Sequence, residues 1–296
     1  MTETILLTGV QGQVGWELNR SLQPLGTVVA VSRRELNLES PQSIREAVRK
    51  ICPTLIVNAA AYTAVDKAES EPDVARSINT DAPAILAAEA KRLGAPIIHY
   101  STDYVFDGSS PADYVESNEP APLNVYGQTK LLGEQAVMAE NDRHIIFRTS
   151  WVFGSRGNNF VRTMRRLAAQ RPELRVVADQ FGSPTSARLI ADVTLAVLSQ
   201  ARSAQDPKAF WAARSGIYHL TNRGVTTWFE FATAILNDVE PAVKVHPIST
   251  AEYPLPAKRP TRSVLCTTKL EQAFGICLPT WQESLDLCKQ ELALSS

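Results

Sequence analysis

A short apolar strand running straight into regularly spaced glycines leaves a chain few ways to fold. Ile5-Leu6-Leu7-Thr8 has the apolar, β-branched make-up of a buried strand, and Gly9-Val10-Gln11-Gly12-Gln13-Val14-Gly15 follows without a break. A helix carrying Trp16, Leu18 and Leu22 comes next. Gly-x-x-Gly-x-x-Gly is a spacing variant of the dinucleotide fingerprint. Its glycines permit a tight turn, let backbone approach a pyrophosphate, and let helix pack on strand. The helix N-terminus then offers free N–H groups and a positive dipole end to phosphates. A glycine-rich turn without a ligand would share the spacing, but the required strand and helix flank this one. Gly9, Gly12 and Gly15 are therefore candidate cofactor contacts.

The second strand, Thr27 to Val31, ends at Ser32-Arg33-Arg34, with Glu35 following. An arginine here suits the 2′-phosphate of NADP, whereas a carboxylate reads the ribose 2′-hydroxyl of NAD. Arg33 favours NADPH, Glu35 would favour NADH, and an exposed basic turn is the plain alternative.

Leu55-Ile56-Val57, Pro96 to Tyr100 and Ile145 to Arg148 continue the series of short apolar strands. A helix from Pro83 to Leu93 lies between two of them, with Asp81 as a plausible N-cap and Gly94 as its stop. Strands alternating with helices imply an α/β fold of the Rossmann type: a doubly wound parallel sheet with helices on both faces. Ligands in such sheets bind beyond the carboxyl ends of strands, where Gly9, Ala61, Thr102 and Thr149 fall. After Trp151 the alternation loosens. Helices are expected over Phe160 to Gln170, Leu189 to Gln200, Trp228 to Leu236 and Trp281 to Leu292, with Ser203 to Lys208 as a flexible surface loop. This pattern suggests a dinucleotide-binding domain over 1–150, with returning segments near 186–220. A smaller α-rich, non-contiguous substrate lobe would occupy 151–296.

At 296 residues the chain can bury a sizeable core, and 44% hydrophobic with 21% charged residues is an ordinary globular composition. A net charge of −1 gives no electrostatic case for nucleic acid or an anionic membrane. No apolar stretch is long enough to span a bilayer, and no signal peptide precedes the first strand, so a cytoplasmic protein is expected. Cys52, Cys266, Cys277 and Cys288 lack metal-site spacing, and His99, His144, His219 and His246 are scattered, each better read as structural. No metal site is expected.

Tyr126 and Lys130 lie four residues apart in Tyr126-Gly127-Gln128-Thr129-Lys130. On a helix this puts a phenol and an ammonium on one face, one turn apart. A nearby cation lowers a tyrosine pKa from about 10, so that the phenol can exchange a proton with a substrate oxygen. Alone, such a pair is usually a surface contact. The glycine turn, and Ser101-Thr102-Asp103 at the end of a buried strand, give it a chemical context.

With these features together, the chain resembles the extended short-chain dehydrogenase/reductase superfamily, and within it the dTDP-4-dehydrorhamnose reductase family. The resemblance runs nearly end to end. It rests on the glycine turn through Leu18, Val57 to Glu69, Ser101 to Phe106, Pro122 to Lys130, Arg148 to Val152, Asp179 to Thr185, and Lys258-Arg259-Pro260. It implies reduction of the 4-keto group of dTDP-4-dehydro-L-rhamnose to dTDP-L-rhamnose, for cell-surface polysaccharide, with NADPH or NADH. It also implies that Thr102, Tyr126 and Lys130 are the catalytic set. Gly12, Gln13 and Val14 would line the pyrophosphate, Asn37 and Leu38 the adenine, and Ala61, Tyr62 and Thr63 the far side of the cofactor. Thr102, Asp103 and Trp151 would meet the sugar of a dTDP-sugar substrate, and a homodimer is compatible with the resemblance.

Tyr62 stands where other members carry histidine, and its contact would then be through backbone. Plain readings stand beside these: Trp151 as a lobe-packing residue, Asp103 as a turn cap, Thr102 as a strand end, and Arg259 as a structural salt bridge. Two alternatives to the reductase remain. One is another nucleotide-sugar keto-reductase or epimerase, although epimerising members need an extra acid/base pair, often Cys and His, and no cysteine falls in a matching block. The other is a non-catalytic NADP-binding regulatory subunit, as the same fold provides for methionine adenosyltransferase.

Overall fold

The structure, a computed structural model, describes residues 3–294. Its centre is a six-stranded sheet: β1 (Glu3–Thr8), β2 (Gly26–Ala30), β3 (Leu55–Asn58), β4 (Ile97–Thr102), β5 (His144–Thr149) and an edge strand, Gly216–His219. The spatial order is edge strand, β5, β4, β3, β1, β2, and every neighbouring pair is parallel. The order reverses at β1, between β2 and β3, which opens a crevice at the carboxyl ends of β1 and β3.

The strand sequences explain why both faces are covered. Ile5, Leu6 and Leu7 are all fully buried, yet they split between two cores. Ile5, Leu7, Val57, Ile98 and Phe147 pack with Leu18, Ile190 and Val197 on one face. Leu6, Ile56, Ile97 and Ile146 pack with Ile44, Val48, Leu86 and Val137 on the other. This is the period-two alternation of a strand buried on both sides. Truncating one of these side chains to alanine would cost about 2–5 kcal/mol.

A third core joins Phe153, Val161, Met164, Phe231, Ile235, Trp281 and Leu285. Its helices are Phe160–Ala168, Trp228–Leu236 and Trp281–Ala293, packed with a parallel pair, Glu173–Val177 and Lys244–Ile248. No helix among the described residues is long and apolar enough to cross a membrane.

The fold is the Rossmann-type parallel sheet that the strand and helix pattern implies, and Trp228–Leu236 coincides with its expected range. Three local expectations differ. Asp81 makes no side-chain cap, because the chain is already helical there: Pro72–Arg76 passes through a π-helical stretch, Ser77–Asp81, into Ala82–Leu93. The loop expected over Ser203 to Lys208 is confined to residues 204–206. One helix runs through Ser203, and the next, Pro207–Arg214, is capped by Asp206, whose carboxylate accepts from the N–H groups of Lys208 and Ala209. The helix expected over Leu189 to Gln200 extends from Ala187 to Ser203.

Candidate active site

The glycine turn is shaped by close approach. A Cβ on Gly15 would lie 2.1 Å from the carbonyl oxygen of Gly9, so only glycine lets the helix Gln13–Ser21 start this near β1. Gly9 itself has φ of +72°. Gly12 differs: its φ is −81°, and an added Cβ would meet only the Gly9 carbonyl, at 3.3 Å. At position 12 the φ suits any residue and a side chain would need the Gly9 carbonyl to give by a few tenths of an ångström, a far smaller conflict than at Gly9 or Gly15. No side chain caps this helix, so its first N–H groups are free for an anion.

Beside the turn is a cavity of about 210 Å³ bounded by Thr8, Gly9 to Gly12, Ser32, Arg33, Asn37, Leu38, Glu39, Ala60, Ala61 and Ile78. A concave surface between glycine turn and second strand, with free helix N–H groups at its rim, fits a dinucleotide. Gln13, Val14, Tyr62 and Thr63 lie outside its walls. The Gln13 carboxamide accepts from Asn159 at 2.9 Å and donates to the Val152 carbonyl at 3.4 Å, so its side chain is engaged within the protein. Val14 packs on the core. The Tyr62 phenol donates to Glu71 at 2.6 Å, while its backbone N–H and carbonyl are both bound by the Asn79 carboxamide. The Thr63 carbonyl accepts from Val65.

At the second strand, Arg33 pairs with Glu39, and both line the cavity. The Glu35 carboxylate folds back to accept from the N–H of Ser32 at 2.7 Å. The carboxylate that faces this cavity is therefore Glu39, which sequence reasoning passed over.

The second half of the site is built by the helix Val125–Glu140. Its N-cap, Asn124, accepts from the Gly127 N–H at 2.8 Å and donates to the Lys258 carbonyl at 2.7 Å. A Cβ on Gly127 would lie 2.2 Å from the Tyr104 carbonyl, so glycine lets the first turn press onto the segment after β4. Tyr126 and Thr102 meet there. The Thr102 hydroxyl accepts from the Tyr104 N–H at 3.2 Å and donates to Asp103 at 3.0 Å. Burial pushes the Tyr126 phenol up to about 12, opposed by the Thr102 hydroxyl.

Lys130 is 1% exposed. Its ammonium donates to the Tyr100 carbonyl at 2.6 Å and lies 3.3 Å from His99 Nε2. Burial lowers its pKa to about 8, against the pull of Glu134 one turn along. Helical spacing brings Lys130 to the right face, but burial dominates the phenol of Tyr126 in this structure.

Asp103 is buried with Thr102 and Ser263 as partners, and burial raises its carboxyl to about 7. The turn cap is Thr102, not Asp103. Trp151 is half-buried, stacks on Trp228 with centroids 3.6 Å apart, and has a φ of +46°. Positive φ in a bulky residue is strained, and such strain clusters at functional sites. Arg259 forms a bidentate pair with Asp66, at 2.7 and 3.0 Å, tying the C-terminal segment to the short helix Val65–Ala68 that follows β3. Among the described residues no group of three or more His, Cys, Asp or Glu side chains is placed to hold a metal ion.

The glycine turn on a parallel sheet, with a Tyr-x-x-x-Lys helix beside the end of β4, defines an extended short-chain dehydrogenase/reductase fold. Residues 3–294 match the family model described as RmlD substrate binding domain. A dTDP-4-dehydrorhamnose reductase of Burkholderia thailandensis is 47% identical over 97% of this chain and 98% of its own. The crystal structure of a dTDP-4-dehydrorhamnose reductase from Clostridium acetobutylicum superposes with a TM-score of 0.91 at 38% identity, covering 98% of this chain and 99% of that one. A Bacillus anthracis dTDP-4-dehydrorhamnose reductase in complex with NADP gives 0.89 at 37% identity, covering 98% and 100%. The chain belongs to the dTDP-4-dehydrorhamnose reductase family of oxidoreductases.

Proposed function

We propose that this chain reduces the 4-keto group of dTDP-4-dehydro-L-rhamnose to give dTDP-L-rhamnose, using NADPH or NADH. The observation that carries the reading is the convergence of Thr102 and Tyr126 at the carboxyl end of β4, with Lys130 anchored behind them by the Tyr100 carbonyl. A bound nicotinamide would supply hydride to the ketone carbon. The backbone N–H groups of Gln13 and Val14 would hold the pyrophosphate at the helix N-terminus, with Gly12 leaving room for it. Ala61, Tyr62 and Thr63 would flank the far side of the cofactor, and Asn37 and Leu38 its adenine.

As negative charge grows on the ketone oxygen, the Tyr126 hydroxyl would donate a hydrogen bond to it and transfer its proton, while the Thr102 hydroxyl, whose one proton goes to Asp103 in this structure, would turn from that partner to donate as well. The raised phenol pKa keeps that proton on Tyr126 until it is needed. Lys130 would supply the positive field that steadies the resulting phenolate. Trp151, held rigid on Trp228, would bound the sugar from the 151–296 lobe, with Asp103 orienting Thr102. Oxidation of NADPH by the purified protein, given the dTDP-4-keto-6-deoxy sugar together with a 3,5-epimerase, tests this reading.

A further inference from the structure

His99 is fully buried in the middle of β4, an imidazole in the run Ile97-Ile98-His99-Tyr100 where the core calls for an apolar side chain. It belongs to a row crossing three strands in register, Thr8 beside Asn58 and Asn58 beside His99. The Thr8 hydroxyl lies 2.6 Å from Asn58 Oδ1, Asn58 Nδ2 lies 3.1 Å from His99 Nδ1, and the Lys130 ammonium lies 3.3 Å from His99 Nε2. All four residues are at most 2% exposed. One end of the row is Lys130; the other, Thr8, lines the dinucleotide cavity.

The donors and acceptors must balance. Burial and the Lys130 charge hold His99 neutral, well below the ordinary imidazole range, so its ring carries one proton. An ammonium is a donor with no acceptor capacity, so the nitrogen facing it must be bare. The proton therefore sits on Nδ1 and needs an oxygen. Turning the Asn58 carboxamide end for end keeps the same partners, with the 2.6 Å contact to the Thr8 hydroxyl opening slightly into the N–H···O range. It gives Nδ1–H an oxygen acceptor and lets Nδ2 donate to the Thr8 hydroxyl. With the opposite tautomer, Nε2–H and the ammonium would be two donors face to face in a dry interior, a cost that buried polar groups avoid.

We propose that His99 is a positioning residue for Lys130: a neutral imidazole protonated on Nδ1, accepting from the ammonium through Nε2, and held in that tautomer by Asn58 and Thr8. Together with the Tyr100 carbonyl it fixes the direction of the Lys130 charge, and it ties that charge to the floor of the dinucleotide site. The charged groups over this face are Lys130 and Glu134 from the helix and Arg148 from β5, the last two paired bidentately at 2.6 and 2.9 Å. Glu134 is engaged by Arg148, which leaves the Tyr100 carbonyl, at 2.6 Å, and His99 Nε2, at 3.3 Å, as the neutral acceptors beside the ammonium.

Two measurements test this. The first needs no turnover: ¹⁵N-histidine spectra of the full chain at pH 6.5 to 7, with the His99 ring assigned by loss of its signals in His99→Gln. A ring protonated at Nδ1 is expected; an Nε2–H ring or an imidazolium overturns the proposal. The second rests on the proposed reduction and compares pH profiles of kcat/KM. His99→Leu removes an acceptor from a charged donor and should move the alkaline limb down by about one pH unit. His99→Gln restores an acceptor and should return the limb toward wild type. An unmoved limb in a folded His99→Leu protein, or no difference between the two variants, also overturns it. If the wild type oxidises no NADPH, the reductase reading fails while the ¹⁵N result still decides the tautomer.

Discussion

The Lys130 ammonium donates to the carbonyl oxygen of Tyr100 at 2.6 Å, which pins the second turn of its helix to β4 two residues before Thr102. A side chain one turn away, Tyr126, is thereby held against the strand end. On the proposed reading, Tyr126→Phe keeps this scaffold and removes the proton donor. General acid catalysis contributes about 10²–10⁴-fold, so kcat should fall in that range with cofactor affinity nearly unchanged. Lys130→Met should be as damaging and should also weaken cofactor binding. Activity of Tyr126→Phe within a few-fold of wild type would mean that another group protonates the oxygen.

Gly12→Val should abolish dinucleotide binding in a folded protein. The backbone at position 12 is extended, and a Cβ there meets one carbonyl at 3.3 Å, so the side chain asks only a small shift of the fold but intrudes on the cavity. Circular dichroism and NADPH titration separate the two effects. Wild-type affinity in the folded variant would move the phosphate site elsewhere.

The cofactor preference should rest on the pair Arg33 and Glu39. A hydrogen bond to a charged group contributes about 1.5–3 kcal/mol, less when the group stays in water. The Arg33 side chain is 73% exposed and already paired with Glu39, so NADPH should be favoured by about ten-fold or less. Arg33→Ala should erase that preference, and Glu39→Gln should raise it by freeing the guanidinium. Ratios of kcat/KM for the two cofactors decide it; a ratio unchanged in both variants would leave the pair as a solvated surface contact.

Asp103 gives a pH signature. Its folded carboxyl is raised to about 7 by burial, against about 3.9 for an unfolded aspartate. The folded state thus binds the proton more tightly, and this group's contribution to stability falls as pH rises from about 4 to about 7. Asp103→Asn removes that dependence. The stability of the variant relative to wild type should rise across this window, on the order of a few kcal/mol, and level off above it. Urea unfolding at several pH values measures it, and a difference that stays flat would show Asp103 ionised throughout.

Much of this was legible in the sequence because it depends on local chemistry. The order strand, glycine turn, helix follows from residues 5–22, and the parallel sheet from apolar runs of strand length. Tyr126 and Lys130 share a face by helical arithmetic alone. What could not be read is set by contacts between distant segments. Glu35 is nearest in sequence to Arg33, yet it caps its own turn while Glu39 reaches the cavity. Asp81 looks like an N-cap only if the preceding residues are not helical, and the π-helical stretch there is packed on the Tyr126 helix so closely that a Cβ added at Gly133 would lie 2.1 Å from the Asn79 carbonyl. His99 reads as a structural histidine until the fold places it against Lys130. Its one signal was a polar ring in a run of isoleucines.

The most direct test of the central claim is NADPH absorbance at 340 nm with purified protein, dTDP-4-keto-6-deoxy sugar and a 3,5-epimerase, with Tyr126→Phe in parallel. Steady NADPH oxidation by the wild type, requiring both sugar and epimerase and largely lost in Tyr126→Phe, is the predicted result. No oxidation by folded, NADPH-binding wild-type protein would contradict the reductase reading.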